Sequence, residues 1–236
     1  MSIKKEYLIT SSDVMPNAAI KPSSLFKLYQ QIAGQHTDTM GLTLEKMLEN
    51  KCVFVIIRMK NTFYSEINNH DVIEIETASR SIKGAVFTRD YVVRSKGEIV
   101  AEASTQWALI NIETRRLCRP SIYADYFPEP EELCSFSDPK KIVFETEPEN
   151  EYRYKVVFSD IDENYHMNNT RYSDICLDAI SGTDEEITEI LIDFVAEARL
   201  GEELCIKWQK LQGEYVFSAH NVTTDKNCFN AVIKVK

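Results

Sequence analysis

The chain is poor in the features that mark several large protein classes. Seven glycines and seven prolines among 236 residues are too few for long disordered stretches. The longest purely apolar run, Cys52 to Ile57, falls far short of the roughly 20 residues a membrane-spanning helix needs. No apolar stretch follows Met1-Ser2-Ile3-Lys4-Lys5-Glu6, which argues against a secretory leader. The six cysteines are widely scattered with no C-x-x-C pair, unlike a zinc site or a secreted disulfide framework. Several fall inside apolar patterns, where Cys acts as a small hydrophobe, and this usage fits a reducing cytoplasm. There is no Walker A loop, dinucleotide fingerprint or G-x-S-x-G. None of the four histidines has a second His or Cys at ligand spacing, so neither a metal nor a cofactor is expected. A net charge of -10 disfavours nucleic acid, whose phosphates it would repel.

What the chain does contain is a repeat. Ser159-Asp160-Ile161-Asp162-Glu163-Asn164-Tyr165-His166-Met167-Asn168-Asn169-Thr170-Arg171-Tyr172 leads into an apolar stripe at Tyr172, Ile175, Cys176, Ala179 and Ile180, the i, i+3, i+4, i+7, i+8 spacing of an amphipathic helix. Asn168 is the expected N-cap and Gly182 the expected end. Subtracting 147 from each number gives Leu25, Leu28, Tyr29, Ile32 and Ala33, again all apolar, with Pro22 at a helix start. The same offset sets Ser12-Asp13 under Ser159-Asp160 and Asn17 under Asn164, but Met15 under Asp162 and Ala19 under His166. One copy is polar and the other is emptied.

Strand patterns rich in β-branched and aromatic residues follow each helix. They are expected at Val53–Ile57, Val72–Thr77, Val86–Val93 and Ile99–Ile110, then at Glu189–Ala198, Leu204–Trp208, Tyr215–Ala219 and Phe229–Val235. A short strand precedes each polar loop, at Glu6–Thr10 and Tyr152–Phe158. Between the halves, residues 121–150 are dense in acidic residues and proline and read as an exposed linker. The reading is α+β, with halves at 1–120 and 151–236, each a sheet wrapped around one helix.

The polar loop carries the strongest chemical signal. In an extended segment Asp162, Asn164 and His166 would point to one side. The free N–H groups of a helix opened by Asn168 or Asn169 could stabilise an oxyanion. His titrates near neutrality and Asn is a neutral donor. Glu197 ends the apolar run Ile192-Asp193-Phe194-Val195-Ala196; a carboxylate on a partly buried strand face has a raised pKa, which suits a general base. Cys176 sits on the apolar stripe and reads as core.

The run from Asp160 to Tyr172 resembles the catalytic loop of the acyl-acyl carrier protein (acyl-ACP) thioesterases. Ile192 to Glu197 looks like that family's strand ending in a catalytic Glu, and Trp107-Ala108-Leu109-Ile110-Asn111 with Arg115-Arg116 extends the likeness into the first half. The resemblance implies a tandem hotdog: an acyl-binding domain at 1–120 and a catalytic domain at 151–236. It implies hydrolysis of fatty acyl-ACP to free acid, ending chain elongation, with Asp162, Asn164, His166 and Glu197 on the catalytic positions. Plant members carry a Cys after the Glu; here it is Ala198, so water is the attacker. Whether Glu197 or His166 takes the proton is open. The carrier is acidic, and a chain of this charge needs local cations to receive it: Arg115, Arg116, Arg119, Lys140, Lys141 and Arg171 are candidates. Met15, Met40, Met47, Phe54 and Trp107 are candidate tunnel liners or plain core. An acyl-CoA thioesterase, a non-catalytic acyl-binding module and a hotdog dehydratase are the competing readings, and pairing of edge strands into a homodimer is open.

Overall fold

The computed structural model describes residues 2–127, 129–144, 148–183 and 185–236. The first half runs β1 (Ile3–Leu8), α1 (Pro22–Thr39), α2 (Leu44–Glu49), β2 (Cys52–Phe63), β3 (Val72–Ser79), β4 (Val86–Ser95) and β5 (Glu98–Asn111). The second runs β6 (Asn150–Lys155), α3 (Arg171–Ala179), β7 (Ile187–Phe194), β8 (Glu203–Leu211), β9 (Glu214–Asn221) and β10 (Lys226–Val235). All strand pairs are antiparallel, and the ten strands form one sheet ordered β1-β3-β4-β5-β2-β7-β10-β9-β8-β6. Read outward from the β2–β7 joint, both halves show the same order. The helices α1 and α3 pack against each other, α1 also against β1 and β3 and α3 against β6 and β8.

The apolar stripes face the core as their spacing predicts. Leu25, Tyr29, Ile32 and Ala33 of α1 are buried, as are Tyr172, Ile175, Cys176 and Ala179 of α3. The helices differ in length, 18 residues against 9. Both end in a Schellman motif: Leu42 N–H donates to Thr37 O at 3.0 Å and Gly41 N–H to Asp38 O at 2.9 Å, and Gly182 N–H to Leu177 O at 2.8 Å and Ser181 N–H to Asp178 O at 3.0 Å. Thr170, not Asn168, is the cap residue of α3; the Asn168 side chain instead closes the preceding turn, accepting from Thr170 N–H at 3.0 Å.

Three strands start and end earlier than their composition suggested. β1 and β6 stop at Leu8 and Lys155 because Thr10 and Val157 donate their N–H groups to Asp13 and Asp160, at 3.0 and 2.9 Å, turning the chain. β7 stops at Phe194, short of the expected Ala198, because the Val195 and Ala196 N–H groups both donate to Cys228 O, at 2.9 and 3.0 Å. The carboxylate of Glu197 therefore stands beyond the strand, not on its face.

The joint between halves is polar as well as hydrogen-bonded. Arg58 of β2 lies opposite Asp193 of β7 and pairs with it, while Asp193 also accepts from Ile142 N–H at 2.7 Å. The segment 121–150 is tied down more than an exposed linker would be. Tyr123 is buried and donates to Cys52 O at 2.9 Å, Asp138 pairs with Arg80 at 2.8 Å, and the Ser135 hydroxyl donates to Glu102 at 2.7 Å. Pro128, Glu145 and Glu147 of that segment lie outside the described residues. Cys52 and Cys118 form a disulfide, which the wide scatter of the cysteines and the absence of a C-x-x-C pair did not suggest. Their separation of 66 positions hides a pairing made by the fold, since the chain leaving β5 doubles back beside the start of β2, with Cys118 N–H on Leu109 O at 2.9 Å.

Candidate active site

The two polar loops are the same loop built twice. In the second half Asp162 N–H donates to His166 O at 2.9 Å, Tyr165 N–H to Asp162 O at 3.0 Å, and Asn168 N–H to Asp160 O at 2.8 Å. In the first half Met15 N–H donates to Ala19 O at 2.8 Å, Ala18 N–H to Met15 O at 2.9 Å, and Lys21 N–H to Asp13 O at 2.8 Å. Tyr165 and Ala18 share a left-handed backbone, with φ of 62° and 69°. The loop is thus a folded turn, not the extended segment that would align Asp162, Asn164 and His166 on one side. Asp160 anchors it: its buried carboxylate accepts from Val157 N–H at 2.9 Å, Tyr154 Oη at 2.8 Å and Arg171 Nε at 3.0 Å.

On this scaffold the predicted residues fall into two pairs. His166 Nε2 lies 3.1 Å from Glu197 Oε1, with the His166 side chain mostly buried. Met167 N–H donates to Ala198 O at 2.8 Å, which docks the loop against the segment that carries Glu197. Asp162 Oδ1 accepts from Asn164 N–H at 2.9 Å, and Asn164 is exposed. Around the helix start, the N–H groups of Asn168, Thr170 and Arg171 are already bonded to Asp160 O, Asn168 Oδ1 and Asn168 O. Asn169 is left as the residue that lines a cleft.

Glu197 has two further partners, Arg199 close by in the chain and Arg115 far from it. Arg115 reaches across from the first half, 82 positions away in sequence, to Oε2. Arg199 donates to Oε1 at 2.9 Å. Burial pushes the Glu197 carboxyl up, but hydrogen bonds from Arg115 and Arg199 and the charge of His166 outweigh it, and the group sits below its ordinary range. The raised pKa expected from a strand face is therefore reversed, since no strand face holds it. Of the proposed cationic surface, Arg115 is engaged with Glu197, and Arg171 pairs with both Asp160 and Asp174. Arg116 and Arg119 are exposed.

The first copy also keeps a carboxylate that sequence alignment by the 147 offset misses. Ile20 N–H donates to Ile67 O at 2.8 Å, as Met167 does to Ala198 O. Glu66 is therefore the counterpart of Glu197, and it lines a cleft together with Ala19, Met15, Asn17 and Phe63. A second cleft is lined by Phe26, Tyr29, Met59, Trp107, Asn169 and Phe194; it joins the first-half helix to the start of α3. Of the five candidate liners, Trp107 is here, Met15 is in the other cleft, and Phe54 packs edge-on against Phe87 at 5.0 Å. No thiol near the site is poised to attack. Burial pushes Cys228 up to about 12 and Cys176 well above its ordinary value.

Two family models cover most of the chain: the acyl-ACP thioesterase N-terminal domain matches residues 1–126 and the acyl-ACP thioesterase C-terminal domain residues 144–235. Among curated proteins, the chain is 26% identical over 221 residues to oleoyl-acyl carrier protein thioesterase 2, chloroplastic, of Arabidopsis thaliana, covering 84% of this chain and 60% of that protein. It is 26% identical over 223 residues to oleoyl-acyl carrier protein thioesterase, chloroplastic, of Coriandrum sativum, with 84% and 60% covered. The chain thus spans about 60% of the length of these relatives. Among solved structures, an acyl-ACP thioesterase from Bacteroides thetaiotaomicron superposes with a TM-score of 0.89 at 20% identity, over 100% of this chain and 98% of that one. A 12:0-ACP thioesterase from Umbellularia californica gives 0.85 at 18% identity, over 100% and 97%. At these identities the superpositions establish the shared fold.

Proposed function

Because the chain belongs to the acyl-ACP thioesterase family through both of its domains, we propose that it hydrolyses the thioester of a fatty acyl group on acyl carrier protein, releasing the free acid and the carrier thiol. The observation that carries this reading is the His166–Glu197 contact at 3.1 Å, present in one of two loops that share their backbone hydrogen bonds and their left-handed residue. A turn kept for its shape alone has no need of a histidine in one copy and an alanine in the other.

The partners of Glu197 divide the labour. A carboxylate held by two guanidinium groups is a weak base, so His166 takes the proton from water while Glu197 orients the imidazole and stabilises its charged form. The water oxygen attacks the thioester carbonyl carbon, and the oxyanion is received by neutral donors from Asn169 and Asn164. Collapse breaks the carbon–sulfur bond, and the proton on His166 passes to the departing thiolate. The acyl chain lies in the cleft of Tyr29, Met59 and Trp107, so the first half holds the chain that the second half cleaves. Purified protein should release free acid from acyl-ACP faster than from an acyl-CoA of the same chain. Equal or greater turnover of the CoA thioester would assign the site to the acyl-CoA branch instead.

A further inference from the structure

Building on the reading above, we propose that Phe158 and Tyr165, with Val157 and Leu200 beside them, form the surface on which the acidic carrier protein docks while its acyl arm reaches His166 and Glu197. The repeat supplies the comparison that carries this. At the 147 offset, Phe158 and Tyr165 correspond to Ser11 and Ala18, in loops with matching backbone bonds and a matching short turn at Ser11–Asp13 and Phe158–Asp160. The fold thus tolerates serine and alanine at these two places. The half that keeps the histidine has instead two aromatic residues, each 82% exposed. Large apolar side chains held in water by a loop that does not need them mark a contact surface.

The surroundings extend the patch and give it a charge. Val156 N–H donates to Glu202 O and Gly201 N–H to Val156 O, both at 2.9 Å, which brings exposed Leu200 alongside exposed Val157. The segment between Leu200 and the loop carries Glu197 with its arginines, Arg115 and Arg199, whose side chains are 52% and 61% exposed. Arg116 and Arg119, both exposed, follow on the Arg115 loop. On a molecule of net charge -10, four exposed arginines gather here around Glu197, which pairs with two of them, and the complement of such a group is acidic with an apolar centre. Aromatic anchors with arginine around them carry a large share of binding energy at protein interfaces.

The test exchanges the two aromatics for the residues of the other loop, Phe158→Ser with Tyr165→Ala; Ala18 already adopts the backbone that the second change requires. Binding is read with a carrier bearing an amide-linked, uncleavable acyl chain, and turnover with an acyl-pantetheine thioester. The double variant should bind the acyl carrier roughly 10- to 100-fold more weakly, with acyl-pantetheine turnover unchanged. Wild-type affinity for the carrier in the variant overturns the proposal. So does an equal loss on both probes, which would place the rings in the reaction itself. Carrier affinity unchanged with loss of self-association in sedimentation, or with loss of binding to anionic vesicles, assigns the patch to a second copy or a lipid surface and also overturns it. A wild-type protein that binds the carrier through these rings but cleaves neither thioester would remove the hydrolase reading and leave the docking surface standing.

Discussion

Glu197 accepts from Arg115 and Arg199 and lies 3.1 Å from His166 Nε2, and its behaviour follows from that company. Its carboxyl titrates below its unfolded value. The native state therefore binds fewer protons between the two values, so the contribution to stability is full above the unfolded value and lost as pH falls through the folded one. Replacing Arg115 with Met removes the strongest counter to burial and lets Glu197 protonate at higher pH. The acid limb of kcat/KM on a small thioester should then move to higher pH with KM little changed. A KM rise confined to the carrier substrate would return Arg115 to a pure docking role. Glu197→Gln keeps the shape but loses the charge that steadies an imidazolium, and should lower kcat by roughly 10²- to 10⁴-fold, read in steady-state hydrolysis. At this scale the polar loop was legible, because Asn, His and Asp in one short run are chemically unusual. The role of Arg115 was not, since nothing local links it to a residue 82 positions on.

The elements repeat this division between near and far. The faces of α1 and α3 follow from apolar spacing, and the left-handed cap position is Gly41 in α1 and Ser181, with φ of 58°, in α3. Gly41 has φ of 79° with only Lys46 Nζ, at 3.9 Å, near where a Cβ would stand. Gly41→Ala should therefore cost about 1 kcal/mol from backbone conformation alone, measured as a lower denaturant midpoint with unchanged slope. An unchanged midpoint would mean the cap relaxes freely. The ends of β1, β6 and β7 were misjudged for one reason: composition marks where a chain favours extension, but side-chain carboxylates and a shared carbonyl decide where it turns. The turn after β7 is what delivers Glu197 to His166, so the misplaced boundary and the misjudged carboxylate have one cause.

Across the whole molecule, two similar halves share one sheet, and in the proposed function they divide one task. The joint is the β2–β7 pair, where the side chain of Asp193 is 5% exposed and bound to Arg58. Asp193→Ala leaves a largely buried guanidinium without its carboxylate partner, though still bonded to Gln106, and frees Ile142 N–H; it should cost about 3–5 kcal/mol in equilibrium unfolding. A loss below about 1 kcal/mol would show that the pair behaves as if at the surface. The duplication was visible in residue spacing, and so was the loss of chemistry from one copy. The edge-to-edge joining of the halves and the Cys52–Cys118 disulfide were not, because both depend on which distant strands meet. The central claim is that one of two equivalent loops does the work, and His166→Ala tests it most directly by giving the second loop the residue that Ala19 supplies in the first. Single-turnover hydrolysis of acyl-ACP should fall by roughly 10²-fold or more with the fold intact; cleavage near the wild-type rate would contradict the account.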